Sequence, residues 1–215
     1  CEKYFESGRE LDKKFFFGEV FRKELKRLER TGEQFTVKQI TDFYNQGLGI
    51  VEELDQAFDD YFGDDFEFIK AEDTLMERIG DFTEADYKFK GYIDLIIKTK
   101  DGKYHIIDYK SCSWGWDAKK RSDRMVTYQL TLYKNYWAQK MGIPMNMIET
   151  HFALLKRTAK VGKKVEVFRV TSGPRKTTNA LNLLKKALYN VNKQNHLKNR
   201  LSCQRCEFFN TQHCT

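Results

Sequence analysis

Residues 91–111 read GYIDLIIKTKDGKYHIIDYKS, two runs rich in Ile and Tyr on either side of Lys100-Asp101-Gly102. Such runs around a Gly-containing loop predict a β-hairpin, with strands over 87–98 and 103–110. A three-residue loop with Gly in the left-handed position is a favoured connection, and it pairs Thr99 with Lys103. Counting back, Asp94 lies opposite Asp108. A two-residue turn would slip the register by one and send Asp94 to the other face. Residues two apart on a strand share a face, so Lys110 joins Asp108. The hairpin therefore gathers two carboxylates and one ammonium on a mostly apolar strand pair. Neighbouring carboxylates in such a setting repel unless a cation lies between them, and hard oxygen donors suit Mg²⁺ or Mn²⁺. The backbone carbonyl of Tyr109 is a further ligand candidate. A lysine beside the metal can orient a water or stabilise charge developing on a phosphate. The plainer alternative is a cross-strand salt-bridge cluster.

Working outward, a strand over 66–79, itself broken near Glu72, precedes the hairpin. A helix over 124–141 follows it, and strands over 148–156 and 164–170 come next. Helices are predicted over 9–30, where Phe17, Phe21, Leu25 and Leu28 recur at helical spacing, and over 36–62, between an N-cap at Thr36 and Gly63. A basic helix over 175–198 comes last. Strands interrupted by helices imply an α/β (α+β) domain with a central mixed sheet flanked by helices. The whole chain reads as one domain. Its parts are a helical segment at 1–65, a catalytic sheet and helix at 66–170, and a basic helix with a cysteine-rich tail at 171–215.

Asp94, then Asp108-x-Lys110 on an apolar strand, with Gly91 ahead and Gln129-x-x-x-Tyr133 on the next helix, resembles the PD-(D/E)XK nuclease superfamily and its RecB-type branch. The resemblance is strong over 91–137 and holds in outline elsewhere. It implies a restriction-endonuclease-like core and a Mg²⁺- or Mn²⁺-dependent deoxyribonuclease. In it Asp94 and Asp108 hold the metal, Lys110 serves the water or the transition state, and Gln129 and Tyr133, one helical turn apart, support the lysine and the DNA. Exonuclease action in recombination, repair or replication is the expected role. A catalytically weak nucleic-acid-binding or docking module of a helicase–nuclease complex is the alternative. Many members of the branch carry a metal-binding His about three residues after a Gly on the first helix. Here Phe21 stands in that place after Gly18. Glu72 is the best substitute ligand and Glu19 a weaker one.

Three of the five cysteines fall in the last thirteen residues, as Cys203-x-x-Cys206 and Cys214. An odd count in a lysine-rich chain argues against a secreted disulfide framework and favours metal ligation. Iron–sulfur members of the branch, among them helicase–nuclease subunits and CRISPR adaptation nucleases, place one cysteine before the core and three after it. That layout implies a structural [4Fe–4S] cluster on Cys1, Cys203, Cys206 and Cys214. Zinc on Cys1, Cys203, Cys206 and either His213 or Cys214 is the alternative.

The 215 residues carry a net charge of +7, yet residues 52–73 hold ten acids and only one base, Lys70. The remainder is strongly basic, which suits a polyanionic partner. Lys119, Lys120, Arg121 and Arg124 lie between the catalytic strand and its helix, in a stretch that also holds Trp114 and Trp116. Cations for phosphates and rings for bases suit single-stranded DNA or frayed ends. Apolar runs of four residues or fewer exclude a membrane bundle. A charged opening stretch in place of a leader points to a cytoplasmic, intracellular protein, with a virus or mobile element among its expected sources and a helicase or recombination factor as an expected partner.

Overall fold

The computed structural model describes residues 1–80, 87–197 and 200–214. Its helices are α1 (Glu2–Glu6), α2 (Lys13–Arg30), α3 (Val37–Phe62), α4 (Ala118–Ser122), α5 (Arg124–Met141) and α6 (Pro174–Asn192). Five strands form one sheet in chain order: β1 (Glu67–Arg78), β2 (Lys88–Lys98), β3 (Tyr104–Cys112), β4 (Ile148–Lys156) and β5 (Val165–Val170). Neighbours are antiparallel except β3 and β4, which run parallel. A parallel pair needs a long crossover, and α4 with α5 supplies it. The expected mixed α/β sheet is thus the one that forms.

Local chemistry fixes the ends of the long helices. Thr36 and Gln39 close a reciprocal capping box at the start of α3, and Gly63 follows its end. The Asp123 carboxylate accepts the Met125 N–H at the start of α5, and left-handed Gly142 ends it. The helix expected over 9–30 is shorter: α2 begins at Lys13, capped by Asp12. Arg9 has φ 68° and turns the chain between α1 and α2. Its guanidinium pairs with Asp59 at 2.7 Å and lies over Phe66 at 4.4 Å. The last helix stops at Asn192, and residue 198, its expected end, lies outside the described residues.

The chain forms two compact units, Cys1–Thr177 and Thr178–Thr215. In the first, Tyr4 and Phe5 of α1 and Ile50, Leu54 and Phe58 of α3 pack with Leu95, Ile97, Ile107, Ala153 and Val165. The other face of the sheet takes α5. Phe89 stacks on Tyr136 at 4.4 Å, and Tyr104 tilts against Trp137 at 5.3 Å. In the second unit, Cys206 donates its N–H to the Cys203 carbonyl at 3.0 Å, and Cys214 does the same to Thr211 at 3.0 Å. No helix among the described residues is long and apolar enough to cross a membrane.

Asp73 of β1 is buried under α5. It accepts from Lys140 at 2.8 Å and from the Trp137 indole at 3.2 Å, and it pairs with Lys70 at 2.9 Å. Burial pushes this carboxyl up, but the two ammonium groups outweigh it and hold it below its ordinary value. The stability it contributes is therefore present above about pH 4 and is lost as pH falls through its lowered folded pKa. Asp73→Ala is expected to cost about 3 kcal/mol, because it strands the indole N–H and removes the acceptor of Lys140. A denaturation midpoint unchanged from the native protein at pH 7 would show that the cluster contributes nothing.

Candidate active site

β2 and β3 are paired only from Leu95–Ile107 to Lys98–Tyr104. The loop closes as its residues suggest: the Thr99 N–H meets the Lys103 carbonyl at 3.0 Å, and Gly102 takes φ 81°. One step beyond Leu95–Ile107, the same register sets Asp94 opposite Asp108. Here the ladder stops. β2 continues against β1 as far as Lys88, while β3 continues against β4 as far as Cys112. The Asp94 carboxylate replaces the next ladder bond, accepting the Tyr109 N–H at 2.7 Å. An extended residue projects its N–H and C=O from the same edge of the strand, so the Tyr109 carbonyl is turned toward this gap.

β1 contributes Glu72. Ala71 pairs with Leu95 and Asp73 with Ile93, so Glu72 falls across from Asp94. Its φ is 46°, a left-handed value rare for a residue with a long side chain. Ala71 is partnered with Leu95, which joins the α1–α3 core, whereas Asp73 bonds to α5. β1 therefore turns over at Glu72. β2 turns over at the same level, because Gly91 faces Tyr133 of α5. The break expected near Glu72 is thus a twist within one long strand. Strain of this kind costs on the order of 1–3 kcal/mol and tends to persist at functional sites.

Asp108 is only 2% exposed. Lys110 Nζ lies 2.6 Å from its Oδ2, yet this oxygen makes no directed hydrogen bond. The contact is an ion pair off the hydrogen-bonding line, and it leaves lone-pair directions open. Burial drives the Asp108 carboxyl up to about 6, against the pull of Lys110 and with a further push from Asp94. Asp94 is also raised. Burial leads, the Tyr109 N–H and Lys110 oppose it, and the negative charge of Glu72 adds to it. Three carboxylates with one lysine, two of them reluctant to ionise, form a donor set short of positive charge.

Gln129 donates to the Tyr133 hydroxyl at 3.0 Å, one turn along α5. Tyr133 lies against Gly91, where an added Cβ would come within 2.7 Å of its Cε1. The smallness of Gly91 lets the ring approach three residues from Asp94. Gly91→Ala should displace the ring and cost about 1–3 kcal/mol by overpacking. The double variant with Tyr133→Leu should recover that stability. No recovery would mean that the ring is not what Ala strikes.

Several residues singled out in the sequence stand elsewhere. Trp116 is buried against Phe152 and Phe168, with centroids at 5.1 and 6.2 Å. It anchors the loop and is not available to stack on a base. Arg121 is engaged too, by Glu166 at 2.6 Å and the Trp116 carbonyl at 2.9 Å. Trp114 is 77% exposed, and Lys119, Lys120 and Arg124 are exposed. Phe21 packs with Phe17 and Tyr44 at 5.8 and 5.4 Å, which explains an apolar residue there by the seam between α2 and α3. Glu19 is exposed and pairs with Arg22 on its own helix. Cys1, Cys203, Cys206 and Cys214 are free thiols. The first belongs to one compact unit and the other three to the second.

Sequence reasoning passed over one cluster: His105, Glu149 and His151 each offer a ligand atom within 4.8 Å of the others. The available signal was Glu149-x-His151 on an apolar strand, two residues that share a face.

The mixed sheet, the fork between β2 and β3 and its Asp–Asp–Lys set define a nuclease-type core. The chain belongs to the PD-(D/E)XK nuclease superfamily, whose family model matches residues 7–211. Its reaction class is accordingly hydrolytic and its substrate is nucleic acid. The "Putative exonuclease" from Eubacterium rectale is 18% identical, with 95% of this chain and 77% of that chain covered at a TM-score of 0.53. The solved protein SSO0001 is 14% identical, with 90% and 94% covered at a TM-score of 0.45. No curated protein matches the sequence.

Proposed function

We propose that this chain is a metal-dependent deoxyribonuclease of the RecB type that works from DNA ends. The observation that carries the reading is the meeting of Asp94, Asp108 and Lys110 where β2 and β3 part. Asp94, Asp108 and the Tyr109 carbonyl would hold Mg²⁺ or Mn²⁺, with Glu72 as the further carboxylate in place of the absent helix histidine. The raised carboxyl pKa values fit this role, because such a pair gains most from a cation. Bound there, the metal would supply positive charge to offset the negative charge of the scissile phosphate. Lys110 orients the attacking water and steadies charge on the phosphoryl oxygens. Water attacks phosphorus, a P–O bond to the leaving nucleotide breaks, and no covalent enzyme intermediate forms. Gln129 and Tyr133 hold the α5 side of the site.

Exposed Trp114, Lys119, Lys120 and Arg124 suit a single strand or frayed end by stacking and by phosphate neutralisation. The exonuclease reading draws further support from the description of the Eubacterium rectale protein. The spacing of Cys203, Cys206 and Cys214, with Cys1 ahead of the core, supports a [4Fe–4S] cluster, or zinc, by sequence layout. Both compact units would then serve one nuclease, in recombination or repair and with a helicase-type partner.

The test compares end-labelled single-stranded, duplex and closed-circular DNA with Mg²⁺ or Mn²⁺. Loss of linear substrates with circles spared supports the reading. Cut circles replace it with an endonuclease on the same site. Binding without cutting under either metal overturns it in favour of a nucleic-acid-binding module, to which the loss of a helix histidine at Phe21 would then point.

A further inference from the structure

The faces of β3 and β4 that carry His105 and His151 lie away from the carboxylate fork. His105 is three residues from Asp108 on β3, and three is odd, so the two side chains leave opposite sides of the strand. In the parallel register His105 pairs with Glu149, and His151 sits two residues further along β4. His105 and His151 are 7% and 1% exposed, and their rings are 3.0 Å apart from Nδ1 to Nε2. Phe62, near the end of α3, lies edge-on to both rings at 5.1 Å, and Tyr61 meets His151 at 5.5 Å.

His151 Nδ1, the nitrogen turned away from His105, is buried with no hydrogen-bond partner, and it stays so whether or not Nε2 binds an ion. The case for a metal rests on the two nitrogens that face each other and on Glu149. Two nitrogens bound at about 2.0–2.1 Å in a tetrahedron stand about 3.3 Å apart, so the pair needs to open by only a few tenths of an ångström. The Thr99 hydroxyl lies 2.8 Å from His105 Nε2 and orients that ring with Nδ1 toward its partner. Both cations that hold Glu149, Lys103 at 3.6 Å and Arg169 at 3.2 Å, reach the same oxygen, Oε1. Burial keeps both imidazoles neutral, the form that ligates.

We propose that His105, Glu149 and His151 form a zinc site, separate from the carboxylate fork and on the opposite face of the sheet. Two imidazoles and one carboxylate favour a borderline transition-metal ion such as Zn²⁺, whereas the all-oxygen fork favours Mg²⁺ or Mn²⁺. Glu149 and Tyr61 are partly exposed and give the ion its way in. Zinc here ties β3 to β4 beside the end of α3, a structural task independent of the nuclease reading.

The test uses the full chain, stripped with chelator and titrated with Zn²⁺ to saturation, and reads the ring nitrogens of its four histidines by ¹⁵N NMR. This readout is residue-specific, so zinc taken by the cysteines does not confuse it. Coordination shifts at His105 and His151, retained in Asp94→Asn/Asp108→Asn, are expected. Glu149→Gln, at a partly exposed position, should weaken this binding about tenfold or more while circular dichroism stays native. Rings that stay unshifted at saturation overturn the proposal and leave a plain His–His hydrogen bond. Affinity unchanged in Glu149→Gln overturns the three-ligand site.

Discussion

On the proposed reading of the site, Asp108→Asn is expected to abolish nucleic-acid cleavage, by roughly a thousandfold or more, and yet to make the metal-free protein more stable at pH 7. The loss follows from removing the anionic donor at the centre of the fork. The gain follows from burial, which lifts the folded pKa of Asp108 to about 6, above its ordinary value of 3.8. A group raised in this way contributes stability that is full below the unfolded pKa and is lost as pH rises through the folded one. At pH 7 the ionised carboxylate therefore costs the fold about 3 kcal/mol. Asparagine has the same shape and cannot ionise. Its melting temperature should stay flat from pH 5 to pH 7 while that of the native protein falls. Added Mg²⁺ or Mn²⁺ should raise the native value and leave the variant unmoved. A variant that melts lower than the native protein at pH 7 would refute this account of the site.

Lys110→Met should also stop cleavage, by a factor on the order of 10²–10³, but with the opposite effect on stability. Its Nζ is the cation 2.6 Å from Asp108 Oδ2, and it pulls the pKa of that carboxyl down. Without it the pKa climbs further, so the carboxylate opposes folding more strongly at neutral pH. The sign follows as before: the extra penalty is absent below about pH 4 and grows as pH rises toward the new folded pKa. The pH–stability curves of the two variants should lie on opposite sides of the native curve at pH 7 and converge near pH 4. DNA binding should survive in both. Cleavage that persists in Lys110→Met would assign the lysine to structure alone.

The hairpin and its register were legible because local chemistry fixes them. Lys100-Asp101-Gly102 admits few loop geometries, and once Thr99 meets Lys103 the opposition of Asp94 and Asp108 follows. Helix α5 was legible to the residue, since its apolar pattern fits one face and Gly142 ends it. Other features depend on partners far along the chain. Nothing near Trp116 announces that Phe152 and Phe168 will cover it. Arg9 breaks the first helix through a left-handed turn secured by Asp59, fifty residues away. The left-handed Glu72 reflects the need of two strands to change face together. The histidine pair becomes visible only when β4 is laid parallel to β3, which no local pattern specifies.

The parting of β2 and β3 has a mechanical consequence. Below the fork one prong is β1 with β2, and the other is β3 with β4. Helix α5 grips the first prong through Tyr133 and Tyr136 on Gly91 and Phe89, and through Lys140 on Asp73. Its contact with β3, Trp137 on Tyr104, lies at the closed end of the hairpin, where β2 and β3 are still paired. Asp94 is therefore carried on a jaw braced by a helix outside the gap, and the same helix holds the hinge. Substitutions along α5 should change the spacing of Asp94 and Asp108 without altering either residue.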